Sequence, residues 1–272
     1  MPKIGLALGG GAARGLAHIG VLKVMEEAGI RPDAIAGTSI GAVIGAAYAS
    51  GKSAREIEEI VLGLNWSKRA LLFWDVTVPR TGLLRGKRIE NFLKRTIGEI
   101  EFSDLKLPFA CVATDLMSGE EVVMDSGPLV EALRASIAIP AIFTPLELDG
   151  RLLVDGGLRH PVPTHVVRRL GADFVIAVNV EPDARRMAKV PIEKRRSGMP
   201  NIFDVIMQAV SIVSYQRVRG SLRRADLAIE PHTEDIGFGD FQKARECISR
   251  GEEAARAALE KAGIVKASAP PG

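Results

Sequence analysis

Gly37-Thr38-Ser39-Ile40-Gly41 matches G-x-S-x-G, the turn by which a strand enters a helix and holds a serine hydroxyl in a strained, exposed position. Glycines are needed on both sides because strand and helix pass too closely there for side chains. The pattern arises by chance in about one chain in ten of this length, so its setting carries the weight. DAIAG before Ser39 reads as a short buried strand, and IGAVIGAAYASG after it reads as a helix of small residues ending at Gly51. Ser39 then stands at a helix N-terminus, where unpaired amides and the helix dipole stabilise a developing oxyanion. A plain N-cap serine would account for Ser39 but not for the paired glycines.

A second glycine-rich turn, Gly9-Gly10-Gly11-Ala12-Ala13-Arg14-Gly15, lies between the first strand and the first helix. Such a loop directs several N–H groups at one point and holds a phosphate or an oxyanion. A dinucleotide site would need an acid at the end of the second strand. Asp33 instead begins that strand, and Thr38 and Ser39 occupy its end. Arg14 either orients the loop or meets an anionic head group.

The third feature is Arg151-Leu152-Leu153-Val154-Asp155-Gly156-Gly157, a carboxylate closing an apolar strand ahead of two glycines. The carboxyl ends of parallel strands collect on one sheet edge, which brings Asp155 within reach of Ser39. Four histidines compete for the role of base. His18 suits a core or helix face, while His160 and His165 follow Asp155 closely, on a segment stiffened by Pro161 and Pro163. His232, after the strand DLAIEP, is the best-placed triad member. The other arrangement is a dyad in which Asp155 takes the serine proton itself. A free aspartate has a pKa of about 3.9, so that role requires burial to raise it.

These groups must be carried by strands alternating with helices. The strand candidates are KIGLAL, DAIAG, FACVAT, EEVVM, RLLVD, FVIAVNV and DLAIE. Helices are expected over 12–28, 40–49, 87–97, 128–135, 163–170, 202–219 and 241–262. The alternation predicts an α/β fold with a mainly parallel sheet covered on both faces. The 272 residues are 47% hydrophobic and 25% charged, enough for one sizeable core. A net charge of +3 from 36 basic and 33 acidic side chains excludes a dedicated nucleic-acid binder.

Cys111 and Cys247 lack metal-ligand spacing, so no disulfide framework, metal or cofactor is expected, and a reducing, cytoplasmic setting fits. No window is apolar enough for a membrane span or a signal peptide. Residues 65–87, with both tryptophans and the run Leu71-Leu72-Phe73-Trp74 beside Lys68 and Arg69, form a candidate lid or acyl channel. Residues 182–200 carry six basic side chains from Arg185 to Arg196 and read as a basic flexible loop suited to peripheral contact with anionic lipid. Residues 1–265 are read as one domain and 266–272 as a disordered tail.

G-G-G-A-A-R-G, G-T-S-I-G and D-G-G in this order resemble the patatin-like phospholipase family. The segments CVATDLMSGEEVVM, ALRASIAIPAIFTPLELDGRLLVDGGLRHPVP and RLGADFVIAVNV are similar to its bacterial, single-domain branch. The likeness covers most of residues 1–180. It implies a three-layer α/β/α sandwich and a Ser39-Asp155 dyad without an obligatory histidine or metal. It also implies an oxyanion loop at Gly10, Gly11 and Ala12, with Arg14 as its basic residue. The two residues between Gly11 and Arg14 fit the bacterial branch, the plant pattern having one. The implied activity is hydrolysis of lipid esters, of phospholipase A or lysophospholipase type, through an acyl-serine. Other esters or thioesters, or a non-catalytic lipid-binding module, are the alternatives.

Overall fold

The computed structural model of the chain describes residues 2–64, 84–183 and 202–264. The candidate lid, except 84–87, the basic loop beyond 183 and the tail lie outside the described residues. Eight strands form one sheet: β1 Ile4–Leu8, β2 Ala34–Thr38, β3 Phe109–Asp115, β4 Glu121–Met124, β5 Leu146–Leu148, β6 Arg151–Asp155, β7 Phe174–Val178 and β8 Leu227–Ile229. They are hydrogen-bonded in the succession β5-β6-β3-β2-β1-β7-β8, with β4 also on β3. The pairs β3-β2, β2-β1, β1-β7 and β7-β8 are parallel.

The described helices are α1 Ala17–Glu27, α2 Ile40–Ala49, α3 Ala54–Leu62, α4 Lys87–Ile97, α5 Leu129–Ser136, α6 Thr164–Arg169, α7 Ile202–Leu222 and α8 Ala244–Lys261. They cover both faces of the sheet, and the strand side chains sort by the two-residue period of a pleated sheet. Leu6, Leu8, Ile35, Phe109, Cys111, Ile176 and Val178 enter one core, with α1, α2 and α8. Ala7, Ala36, Ala110, Val112, Val175 and Ala177 enter the other, with α6 and the end of α7. The second face carries mostly alanine and valine, and α6 approaches it closely, with Val167 set against Gly5 of β1. The long helix α8 packs on the first core, burying Cys247, Ile248, Ala255 and Leu259.

Several elements depart from the sequence reading. The first helix begins as a 3-10 turn at Ala12–Leu16 and becomes α-helical only at Ala17. Helix α3 was not anticipated, although Ser53-x-x-Glu56 is a capping box: Ser53 Oγ accepts from Glu56 N at 3.2 Å, and Glu56 Oε2 accepts from Ser53 N at 2.8 Å. Strand β5 is also new. It pairs antiparallel with β6 across Asp149-Gly150, whose φ angles of 49° and 73° suit a two-residue hairpin turn.

Strand β6 also runs antiparallel to β3, so Asp155 does not reach Ser39 from a shared carboxyl edge of parallel strands. Strand β2 pairs with β3 from Phe109 to Val112, and β6 pairs with it from Ala113 to Asp115. Strand β4 spans Cys111 to Thr114, overlapping both, so it occupies the opposite edge of β3. Strands β2 and β6 therefore follow one another along a single edge, running toward each other. Thr38 lies opposite Val112 and Asp155 opposite Ala113, on adjacent residues of β3. The ends of two strands meet head to head, and Ser39 and Asp155 stand at the junction.

Candidate active site

Ser39 has φ 54° and ψ −124°, a conformation rare for a side-chain-bearing residue and maintained here by its surroundings. A Cβ on Gly41 would stand 2.4 Å from Leu8 O, and one on Gly37 would stand 2.4 Å from Ala42 Cα. Both contacts are with backbone, so the elbow closes only with glycine at each position, as the motif predicts.

Where β2 turns into the elbow, the Ser39 amide has left the strand ladder. It donates to Ser136 Oγ at 2.9 Å, and that hydroxyl donates to Val112 O at 2.7 Å. A fully buried serine at the end of α5 thus replaces the next rung of the β2-β3 ladder. Sequence reasoning missed Ser136; a lone serine in a helix carries no signal of the partners it meets.

Ser39 Oγ donates to Asp155 Oδ2 at 2.6 Å. Asp155 Oδ1 accepts from Gly157 N at 2.7 Å, which fixes the carboxylate plane. Asp155 is 7% exposed, and burial pushes its pKa up to about 6. The hydrogen bonds from Ser39 and Gly157 pull the other way, and the nearby charge of Glu181 adds to the rise. Burial therefore supplies the higher basicity that a direct aspartate base needs.

The glycine-rich loop faces this pair, and Gly10, Gly11 and Ala12 line the same cavity as Ser39 and Asp155. Ala12 shares the left-handed backbone of Ser39, with φ 49°. Gly10 departs from its expected role. Its amide donates to Pro161 O at 3.0 Å and is already spent, as is that of Ala13 on Phe238 O at 3.1 Å. The Gly11 and Ala12 amides have no hydrogen-bond acceptor among the described residues. The loop thus presents two free donors rather than three.

His18 belongs to the core. It is fully buried, burial lowers its pKa to about 4, and the neutral ring donates from Nε2 to Gly9 O at 2.7 Å, pinning the start of the loop. Arg14 is buried behind the loop instead of opening onto the cavity. Its Nε donates to Ile236 O at 2.7 Å, Nη1 reaches Glu181 Oε2 at 3.2 Å, and the guanidinium lies over the Phe238 ring at 4.2 Å. Of its two expected roles, orienting the loop matches this geometry. His232 does not complete a triad: its side chain is 72% exposed, lies outside the cavity lining, and has Nδ1 3.6 Å from Glu234 Oε1. His160 and His165 turn away from Asp155 and converge on Glu121.

The cavity encloses about 860 Å³, including the part open to solvent. Its polar floor is Ser39, Asp155 and the loop, and much of its wall comes from α7. Ile206, Met207, Val210 and Val218 face inward, with Ser211 Oγ donating to Glu181 Oε2 at 2.7 Å. The sequence placed this helix but not its facing, because apolar residues occur on both of its sides.

A family model described as patatin-like phospholipase matches residues 6–168. An uncharacterized NTE family protein of Mycobacterium tuberculosis is 40% identical over 184 residues, covering 66% of this chain and 49% of the relative. The human patatin-like phospholipase domain-containing protein 6 is 39% identical over 181 residues, covering 65% of this chain and 13% of the relative. The chain thus spans half or less of the length of these curated relatives. Among solved structures, VipD from Legionella pneumophila superposes with a TM-score of 0.65 at 14% identity, over 96% of this chain and 67% of that one, and shares the fold. By the family-model match over more than half of its length, the chain belongs to the patatin-like phospholipase family.

Proposed function

We propose that the protein is a serine acyl hydrolase of lipid esters, of phospholipase A or lysophospholipase type, working through Ser39 and Asp155. The observation that carries this reading is the 2.6 Å hydrogen bond from Ser39 Oγ to Asp155 Oδ2 on the floor of the cavity. Asp155 takes the hydroxyl proton as Ser39 Oγ bonds to the ester carbonyl carbon, and the carbonyl electron pair moves onto oxygen. The amides of Gly11 and Ala12 and the N-terminus of α2 stabilise that oxyanion. As the oxyanion collapses, the carbon–oxygen bond to the alcohol breaks. Asp155 returns the proton to the leaving oxygen, which leaves an acyl-serine. Asp155 then takes a proton from water, whose oxygen attacks the acyl carbon, and returns it to Ser39 Oγ as the acyl–oxygen bond breaks and the fatty acid leaves.

The acyl chain lies along the apolar wall formed by Ile139, Pro140, Leu158 and α7. Val205, Ile212 and Val213 lie exposed on the outer side of that helix, with the exposed Arg217 one turn beyond Val213, and there the protein meets an anionic lipid surface. No helix among the described residues is long and apolar enough to cross a membrane. In this reading residues 1–265 act as one peripheral hydrolase domain in a reducing compartment, where Cys111 and Cys247 stay free thiols.

The test is fatty-acid release from phospholipid vesicles and from soluble short-chain esters, with wild type and Ser39→Ala. Release that rises with chain length and is lost in Ser39→Ala supports the reading. Equal or greater activity on short soluble esters makes the protein a general esterase. Release unchanged in Ser39→Ala removes the serine mechanism.

A further inference from the structure

Outside the cavity lining, Glu121 at the start of β4, His160 in the loop after β6 and His165 in the first turn of α6 point their side chains at one spot. His165 Nε2 lies 2.8 Å from Glu121 Oε2, and His160 Nε2 lies 3.7 Å from Glu121 Oε1. The two imidazole centroids are 4.5 Å apart. One potential ligand atom from each residue falls within 4.8 Å of the others. In a tetrahedral zinc site with bonds of about 2.0–2.1 Å, ligand atoms stand about 3.3 Å apart, so these separations bracket what a shared ion requires.

A simple histidine–carboxylate contact explains only half of this arrangement. Glu121 Oε1 is buried without a hydrogen-bond partner, since His160 is too far to donate to it. A buried carboxylate oxygen left in that condition is costly. Two histidines five residues apart and a carboxylate some forty residues away nevertheless come together. We propose that Glu121, His160 and His165 form a binding site for one divalent transition-metal ion of the zinc class.

The donor set decides the class. Two imidazoles and one carboxylate suit zinc and its neighbours, whereas magnesium and calcium take oxygen ligands. Arg159, Arg169 and Arg217 are near enough to act on the charges of the cluster. Their positive field opposes any bound cation, so the ion must be held by strong imidazole coordination, which magnesium and calcium do not form. Three protein ligands leave at least one coordination position for water.

The ion is a staple and takes no part in the ester chemistry. His160 O accepts from Thr38 Oγ1 at 2.9 Å, and Pro161 O accepts from Gly10 N at 3.0 Å. The loop holding His160 thus braces both the serine elbow and the oxyanion loop. Tying it to β4 and α6 through a metal would stiffen both.

The experiment uses the full-length, tag-free protein, stripped with chelator and titrated with zinc chloride by calorimetry, with thermal unfolding in parallel. Wild type should bind one equivalent and unfold several degrees higher, because an ion that binds only the folded state stabilises it. Glu121→Gln, His160→Asn and His165→Asn should each weaken binding at least tenfold. No binding by wild type, or binding unchanged in all three variants, overturns the site. If the variants do not fold, histidine-directed acylation of wild type decides: zinc should protect His160 and His165 while the exposed His232 still reacts. Equal reaction of all three with and without zinc refutes the proposal. Neither readout depends on ester hydrolysis.

Discussion

The floor and the wall of the cavity are built on different principles. The floor is set by backbone: Ser39 and Ala12 with positive φ, a serine hydroxyl filling a missing ladder rung, and two strand ends meeting along β3. Most of the wall is one long helix whose apolar side chains face inward, completed by Ile139, Pro140 and Leu158. At Gly37 and Gly41 a single added atom meets main chain, which cannot move aside. On the wall a changed side chain meets other side chains or solvent, which can. Chemistry is therefore fixed by the floor and substrate shape by the wall, and substitutions in the two regions should differ in kind.

The comparison is tested most severely at the dyad. Ser39→Ala and Asp155→Asn should each lower kcat for ester hydrolysis by about 10⁴-fold or more, since members of a catalytic unit fail together. Thermal unfolding should show both variants folded.

Gly41→Ala places a Cβ 2.4 Å from Leu8 O and 2.6 Å from Gly9 O. It should cost about 3 kcal/mol in denaturant unfolding and abolish measurable turnover. Ser136→Ala strands the Ser39 amide and Val112 O, which should cost about 1–3 kcal/mol. By shifting the nucleophile, it should also lower kcat about 10- to 100-fold with little change in KM.

A wall substitution should behave otherwise. Val210→Trp narrows the acyl path and should change relative kcat/KM for long over short chains by about tenfold, with the best substrate still turned over at close to the wild-type rate. A general loss of activity in this variant would show that wall and floor are not separable.

The floor also carries a stability cost that the wall does not. Asp155 has a folded pKa of about 6, raised from 3.8 by burial. A raised carboxylate pKa means that stability is greatest with the group protonated in both states, is lost as pH rises from 3.8 to about 6, and stays lower above that. By pH 8 the ionised carboxylate should cost about 3 kcal/mol. Asp155→Asn should therefore unfold at a higher temperature than wild type at pH 8, and the gap should shrink at pH 5.

The sequence made the floor legible where rigid backbone demands a residue type. Gly37, Gly41 and the Gly9–Gly11 run announce close approach, and Asp155 before two glycines announces a strand end. What it hid were groups whose role depends on a distant partner. Ser136 is ordinary until Val112 and Ser39 are placed around it, and Gly10 resembles its neighbours until Pro161 claims its amide. Asp149-Gly150 marked the β5-β6 hairpin locally, but the antiparallel pairing of β6 with the distant β3 has no local signal. Ser53-x-x-Glu56 likewise marked α3. His232 looked well placed because a strand precedes it, and only the fold shows its ring turned to solvent.

The most direct test of the account measures the rate at which a fluorophosphonate labels Ser39 across pH 4.5 to 8.5, with the site mapped by mass spectrometry. If Asp155 is the base, the rate in wild type rises through an apparent pKa near 6 and then levels. It should fall to background in Asp155→Asn and be unchanged in His232→Ala. Labelling of Ser39 that persists in folded Asp155→Asn with the same pH profile would contradict the account.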